Sequence, residues 1–308
     1  MGFGIDLPQH SWTGHYDVEE LAGFCGAADA SAFDDVWVQE SPLSAVPLMD
    51  PLSLLAAAAV FTTRIGLGTA MLLSPLHSPL QTARTIISID QLSRGRVMVG
   101  IALGPADDTY AAAGVETETR ADRFDEMLLL LRQCLTGDPV FFRGQRWVMD
   151  GAQVGPRPVQ PGGPRVLVGG GARGALARAA RFADGWIGAG ASTLAAARAQ
   201  MTRLRELLEV HGRDPARFLL AKRVYVCIDR DQATALDRLT STLRRNYGGF
   251  PVAAEVGVAG SVDRCIDGLG EVLDSGFEHV IIGVPVETRR HLELISTDVL
   301  PALQPSGG

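Results

Sequence analysis

Residues 165–186 read RVLVGGGARGALARAARFADGW. The apolar run Val166-Leu167-Val168 leads into Gly169-Gly170-Gly171-Ala172-Arg173-Gly174, and an alanine-rich stretch of helical character follows. A short continuous apolar run bounded by glycine is the pattern of a parallel strand buried on both faces. The glycines match G-x-G-x-x-G in the strand–turn–helix setting that motif requires. Three readings stand at this point: a phosphate-binding loop, a merely tight connection, and the fingerprint of a dinucleotide-binding sheet. The last would put the motif after the first strand, and Asp184 comes early for its ribose-binding acid. Exposed amides at a helix N-terminus bind phosphate in any fold. The preferred reading is therefore a phosphate-binding loop made of Gly169, Gly170, Gly171, Ala172 and Arg173.

Working outward, the same unit recurs along the chain. Strands are expected at 3–7, 35–39, 64–72, 97–103, 165–168, 185–189, 219–228 and 278–284. Helices are expected near 17–31, 50–62, 79–93, 174–183, 194–211, 230–246, 262–275 and 287–300. Another carries Phe124, Met127, Leu128, Leu131 and Leu135 on one stripe. Eight strand–helix units in 308 residues suit a (β/α)8 TIM barrel, although a doubly wound sheet shares the alternation. Two stretches interrupt the rhythm. Residues 138–163 read as a β-hairpin followed by a proline-rich connector, inserted after the fourth βα unit. Residues 246–260 read as a loop insertion, with Asn246, Tyr247 and Phe250 able to close over a substrate. The whole of 1–308 is read as one barrel domain with a Pro-Ser-Gly-Gly tail.

Composition narrows the function. A net charge of −7 offers no basic face to nucleic acid or to an anionic membrane. The first 63 residues hold nine acids and no lysine or arginine, unlike a secretory signal, and no apolar run approaches a membrane span. Four widely spaced cysteines without C-x-x-C suggest neither a disulfide framework nor a zinc site. A cytoplasmic enzyme acting on a small molecule is expected. Lys222 is the only lysine and Asn246 the only asparagine, a bias consistent with a GC-rich genome.

Several segments in register resemble the bacterial luciferase-like monooxygenase superfamily of flavin- and deazaflavin-dependent oxidoreductases. They are residues 156–186, residues 63–104 (TRIGLGTAMLLSPLHSPLQTARTIISIDQLSRGRVMVGIALG), residues 32–41 and residues 260–283. The resemblance implies a TIM barrel with the cofactor ring in its C-terminal mouth. It makes Glu40 the acidic cofactor or active-site position, with Ser41 where a catalytic histidine often stands. Ala70-Met71 matches a bulge, often with a non-prolyl cis peptide, that backs the ring. Gly104 matches the glycine ending strand four, and Pro105 replaces the glutamate that follows it in sugar-phosphate dehydrogenases. Ser41 and Pro105 together remove the usual acid/base pair. That favours reduction of a C=C or C=N bond by coenzyme F420 over alcohol oxidation.

Two alternatives are a reduced-FMN-dependent monooxygenase, which would need oxygen and a dry pocket, and a non-catalytic flavin-binding protein. Candidate proton donors are Glu40, His10 and His77; His10, Trp12 and His15 follow the first strand into the mouth. His10 and His15 lack a third ligand for metal, and His211, His279 and His291 are read as structural. The helix at 50–62 is apolar on nearly every face. The core covers one side and an isologous homodimer would cover the other; the resemblance implies dimerisation through this region.

Overall fold

The computed structural model describes residues 1–11, 14–247, 252–284 and 286–303. Trp12, Phe250 and the terminal Pro-Ser-Gly-Gly lie outside them. Eleven strands run in chain order: β1 Gly2–Asp6, β2 Asp35–Val38, β3 Gly66–Leu73, β4 Val97–Ala102, β5 Pro139–Arg143, β6 Val148–Gln153, β7 Arg165–Gly169, β8 Gly185–Gly188, β9 Leu219–Ile228, β10 Gly257–Gly260 and β11 His279–Gly283. Their helices are α1 Val18–Asp29, α2 Pro51–Phe61, α3 Pro79–Ser93, α4 Asp108–Ala112, α5 Arg120–Leu135, α6 Arg173–Phe182, α7 Leu194–Val210, α8 Gln232–Tyr247, α9 Ala253–Val256, α10 Val262–Asp274 and α11 Thr288–Leu294.

The main sheet has nine parallel strands in the order β10-β9-β11-β1-β2-β3-β4-β7-β8, and β8 pairs back onto β9. That pairing closes all but β10 into an eight-stranded (β/α)8 barrel, as the sequence predicts. Strands buried on both faces need apolar residues at every position, and Asp35–Val38 and His279–Gly283 are buried throughout. Trp37, Ala70, Leu167, Ile187, Ala221 and Ile281 pack together inside the barrel. At its foot, Asp35 accepts from Trp37 Nε1 and pairs with His279 Nε2 at 2.9 Å. His291 is buried too, its Nε2 accepting from the Ile228 amide at 2.8 Å. Both histidines are structural, as expected.

The helices begin where their caps dictate. Asp17, Asp50, Thr193 and Ser261 each accept an amide of the first turn of α1, α2, α7 and α10. The hairpin is β5–β6, antiparallel, directly after α5. No helix among the described residues is long and apolar enough to cross a membrane.

The expected loop at 246–260 needs correction. Asn246 and Tyr247 are the last residues of α8, Ala253–Val256 is a helical turn, and Gly257–Gly260 pairs with the outer half of β9. The cause is the length of β9. Its first half closes the barrel, so Tyr225–Ile228 project beyond it and must find another partner for their backbone groups. Asp184 is no ribose ligand either. It accepts from Arg132 Nη1 at 2.8 Å and from the Val166 amide at 2.9 Å, at the N-terminal ends of β7 and β8.

Candidate active site

The bulge implied by the family resemblance is present in β3. The register against β4 slips between Thr69 and Leu72, and the Ala70-Met71 peptide is cis. Several polar groups at the slip have defined partners. Thr69 Oγ1 donates to the Gly100 carbonyl at 2.8 Å and accepts from the Gly100 amide at 2.9 Å. Arg223 Nη1 donates to the Ala70 carbonyl at 2.8 Å, and the Glu40 amide donates to the Met71 carbonyl at 3.1 Å. The Met71 thioether fills the space above Gly169, where a Cβ would overlap its Cε. The bulge therefore touches the glycine loop on one side and Arg223 on the other.

Glu40, just past β2, leans over this bulge. Its carboxylate accepts from the Leu73 amide at 2.6 Å and meets His77 Nε2 at 2.8 and 2.9 Å. Burial alone would lower the His77 pKa, but the hydrogen bond to Glu40, its charge and that of Asp50 outweigh it and raise the value. Ser41 follows Glu40 and starts a turn through its carbonyl, which accepts from the Ser44 amide. Gly104 has φ +77° and sits against Leu73 Cδ2, which a Cβ would approach to 2.8 Å. Its left-handed backbone and that contact both call for glycine.

A cavity of about 310 Å³ opens at the C-terminal ends of β1, β2, β9 and β11. Its polar lining includes Asp6, His10, Gln39, Arg223 and Asn246. Arg223 and Asp6 form an ion pair through Nη2 and Oδ2. Burial pushes the Asp6 carboxyl up to about 6 despite the arginine, and Arg223 is held above its ordinary range by Asp6, Tyr225 and Tyr247 against its own burial. Above about pH 6 the pair is carboxylate and guanidinium. His10 lines the same cavity. Burial, then Arg223 and Arg245, hold its pKa down at about 4, so at neutral pH it is uncharged. Tyr247 Oη donates to Gln39 Oε1 at 2.7 Å, which ties the end of α8 to the end of β2.

Across the mouth, Gly169–Arg173 form the connection from β7 to α6. Gly170 has φ +107°, its carbonyl accepts from Trp186 Nε1 at 2.8 Å, and its amide donates to the Ile187 carbonyl at 3.3 Å. Gln200 of α7 fills the space a Gly171 side chain would take. Ala172 is the N-cap of α6 and offers no side-chain cap, and Arg173 beside it is exposed. Amides without side-chain partners beside an arginine suit an anionic group.

Glu40, His77, Ala70, Met71 and Gly169 thus come together. His10 lies at the cavity, and Gly170–Arg173 at the rim. Sequence reasoning missed Asp6 and Arg223. A period-two reading of β9 would have found Arg223, because positions 221, 223 and 225 share the inward face.

The family model described as luciferase-like monooxygenase matches residues 1–278. An uncharacterised protein of Mycobacterium tuberculosis is 32% identical over 181 residues, a match that spans 59% of this chain and only 60% of that relative. An F420-dependent glucose-6-phosphate dehydrogenase of Kineococcus radiotolerans is 28% identical over 317 residues, 93% of each chain. Among solved structures, the monooxygenase RslO1 of Streptomyces bottropensis superposes with a TM-score of 0.84 at 20% identity, over 99% of this chain and 100% of that one. That last likeness is one of fold.

Proposed function

The chain belongs to the luciferase-like monooxygenase family, and on that premise we propose that it is a coenzyme F420-dependent oxidoreductase reducing a C=C or C=N bond of a small molecule. The observation that carries this reading is the position of the Ala70-Met71 bulge, bonded to Arg223 at the cavity and packed through Met71 on Gly169 of the loop. A planar ring laid on the bulge would have a substrate cavity on one side and an anion-binding loop on the other. The uncapped start of α6, Gly170 and Arg173 fit the phosphate-bearing tail. The dehydrogenase relative, aligned over 93% of the chain, favours deazaflavin over flavin.

When bound, the reduced coenzyme supplies a hydride. The chain's own part is to position the pair of reactants and to manage one proton. Glu40 fixes the His77 ring and favours its protonated form, which makes His77 the proton donor and Glu40 its anchor. Ser41 and Pro105 supply no base for removing an alcohol proton. The cavity's ion pair and buried amide argue against oxygen chemistry, which needs a dry pocket.

The reaction is tested by mixing the protein with reduced F420 and a panel of electron-poor alkenes and imines without oxygen. The expected result is coenzyme oxidation matched by a product carrying two more hydrogens; a strict need for oxygen would overturn the proposal. The His77 assignment carries its own pH signature. A donor with a raised pKa is lost as pH rises through that value, so the rate should fall on a basic limb that lies above the ordinary imidazole range. His77→Gln should abolish that limb, and a limb that persists would remove His77 from the role.

We also propose a cytoplasmic homodimer. The four cysteines are free and buried, which suits a reducing compartment. α2 buries Leu54, Leu55, Ala58 and Ala59 but leaves Val60 66% and Phe61 38% exposed. Light scattering should give twice 32.7 kDa; a monomer mass would contradict the dimer.

A further inference from the structure

Asn246 is the only asparagine in the chain, and it lies on the buried face of α8. Ala235, Leu239 and Leu243 face the core from the same helix, and Asn246 continues that stripe. Its residue surface is 6% exposed, and neither Oδ1 nor Nδ2 has a hydrogen-bond partner among the described residues. A buried amide with both ends unmatched costs stability that leucine there would not. The side chain lines the 310 Å³ cavity, alongside Asp6, whose buried Oδ1 also has no partner among the described residues.

The chemistry of the orphan atoms defines what would satisfy them. An amide side chain offers one donor and one acceptor side by side. Its complement is a group presenting an acceptor and a donor in the same plane, a cis amide. The cavity's charges narrow the ligand further. The Asp6–Arg223 pair is internally neutralised, His10 is uncharged at neutral pH, and the rim carries Asp17 and Glu20, which repel anions. We infer that Asn246 is a specificity residue that binds the ring amide of a neutral lactam, with the lactam N–H donating to Oδ1 and its carbonyl accepting from Nδ2. This rests on the reductase reading above and gives its substrate class as a lactam carrying the reducible bond.

The test uses three ring probes of nearly equal size: piperidin-2-one, its N-methyl derivative and δ-valerolactone. Binding to the full chain is followed by ligand-observed NMR. Leaving buried polar atoms unmet costs about 10–100-fold in affinity, so piperidin-2-one should bind tighter than both others by about that factor. Asn246→Leu should bind all three alike while melting no lower than the parent, since an apolar residue completes the stripe. Asn246→Asp, which keeps an acceptor and loses the donor, should also lose most of the preference, and serves if the leucine variant does not fold. Equal binding of the three probes by the parent, no binding of piperidin-2-one, or a preference that survives both substitutions would overturn the inference. F420 titration of the same samples separates the two readings. Lactam preference without F420 binding strikes the reductase proposal alone, and F420 binding without lactam preference strikes the Asn246 assignment alone.

Discussion

Replacing Arg223 with methionine should destabilise the protein by about 3–5 kcal/mol at neutral pH, the usual consequence of removing one member of a buried ion pair. Asp6 would be left as a buried acid without its cation, and the Ala70 carbonyl would lose its donor. The loss should shrink in acid. The folded-state pKa of Asp6, about 6, lies above its ordinary 3.8. The folded state therefore holds its proton more tightly than the unfolded chain, and the Asp6 contribution to stability falls as pH rises from about 4 to about 6. Without Arg223 the carboxyl is harder still to ionise, so urea unfolding at pH 4.5 should show a smaller gap between parent and variant than at pH 7.5. Asp6→Leu combined with Arg223→Met should recover much of the stability, because no charge is then stranded. A single-variant loss under about 1 kcal/mol, or a gap independent of pH, would show that the pair does not brace the bulge.

The second large effect concerns the contact between the bulge and the glycine loop. In Gly169→Ala the new methyl would overlap the end of the Met71 side chain, which would have to move aside. Overpacking of this kind costs about 1–3 kcal/mol, and it would push Met71 off the surface assigned to the coenzyme ring. F420 affinity should drop by about tenfold or more. Met71→Ala in the same chain should restore most of the stability, because the clash lies with the end of a flexible side chain and not with backbone. A double-mutant cycle reads the coupling directly, and interaction energies of about 0.5–3 kcal/mol are typical of residues in contact. Additive effects would mean that Met71 and Gly169 do not share the space.

The barrel was legible because burial on both faces demands runs such as Val36-Trp37-Val38 and Val280-Ile281-Ile282, which few other settings tolerate. β10 was not. Gly257-Val258-Ala259-Gly260 has too little side chain to announce a strand, and it forms only because the surplus length of β9 needs a partner. The bulge could be anticipated from the resemblance, and Gly169 from its motif. The link between Glu40 and His77 could not, since 37 residues separate them and only the pairing of β2 with β3 sets their C-terminal ends side by side. Asp6 and Arg223 lie 217 residues apart and were hidden for the same reason. Asn246 was visible as a compositional oddity. What gives it meaning is burial, which periodicity along α8 suggests and only the fold confirms.

The central claim is that this mouth holds a deazaflavin. Parallel titrations of the purified protein with F420 and with FMN, followed by quenching of its tryptophans, test that claim most directly. The account predicts saturable F420 binding at least tenfold tighter than FMN, weakened when Gly170, at φ +107°, is replaced by valine. FMN binding tighter than F420, or no binding of either, would contradict it.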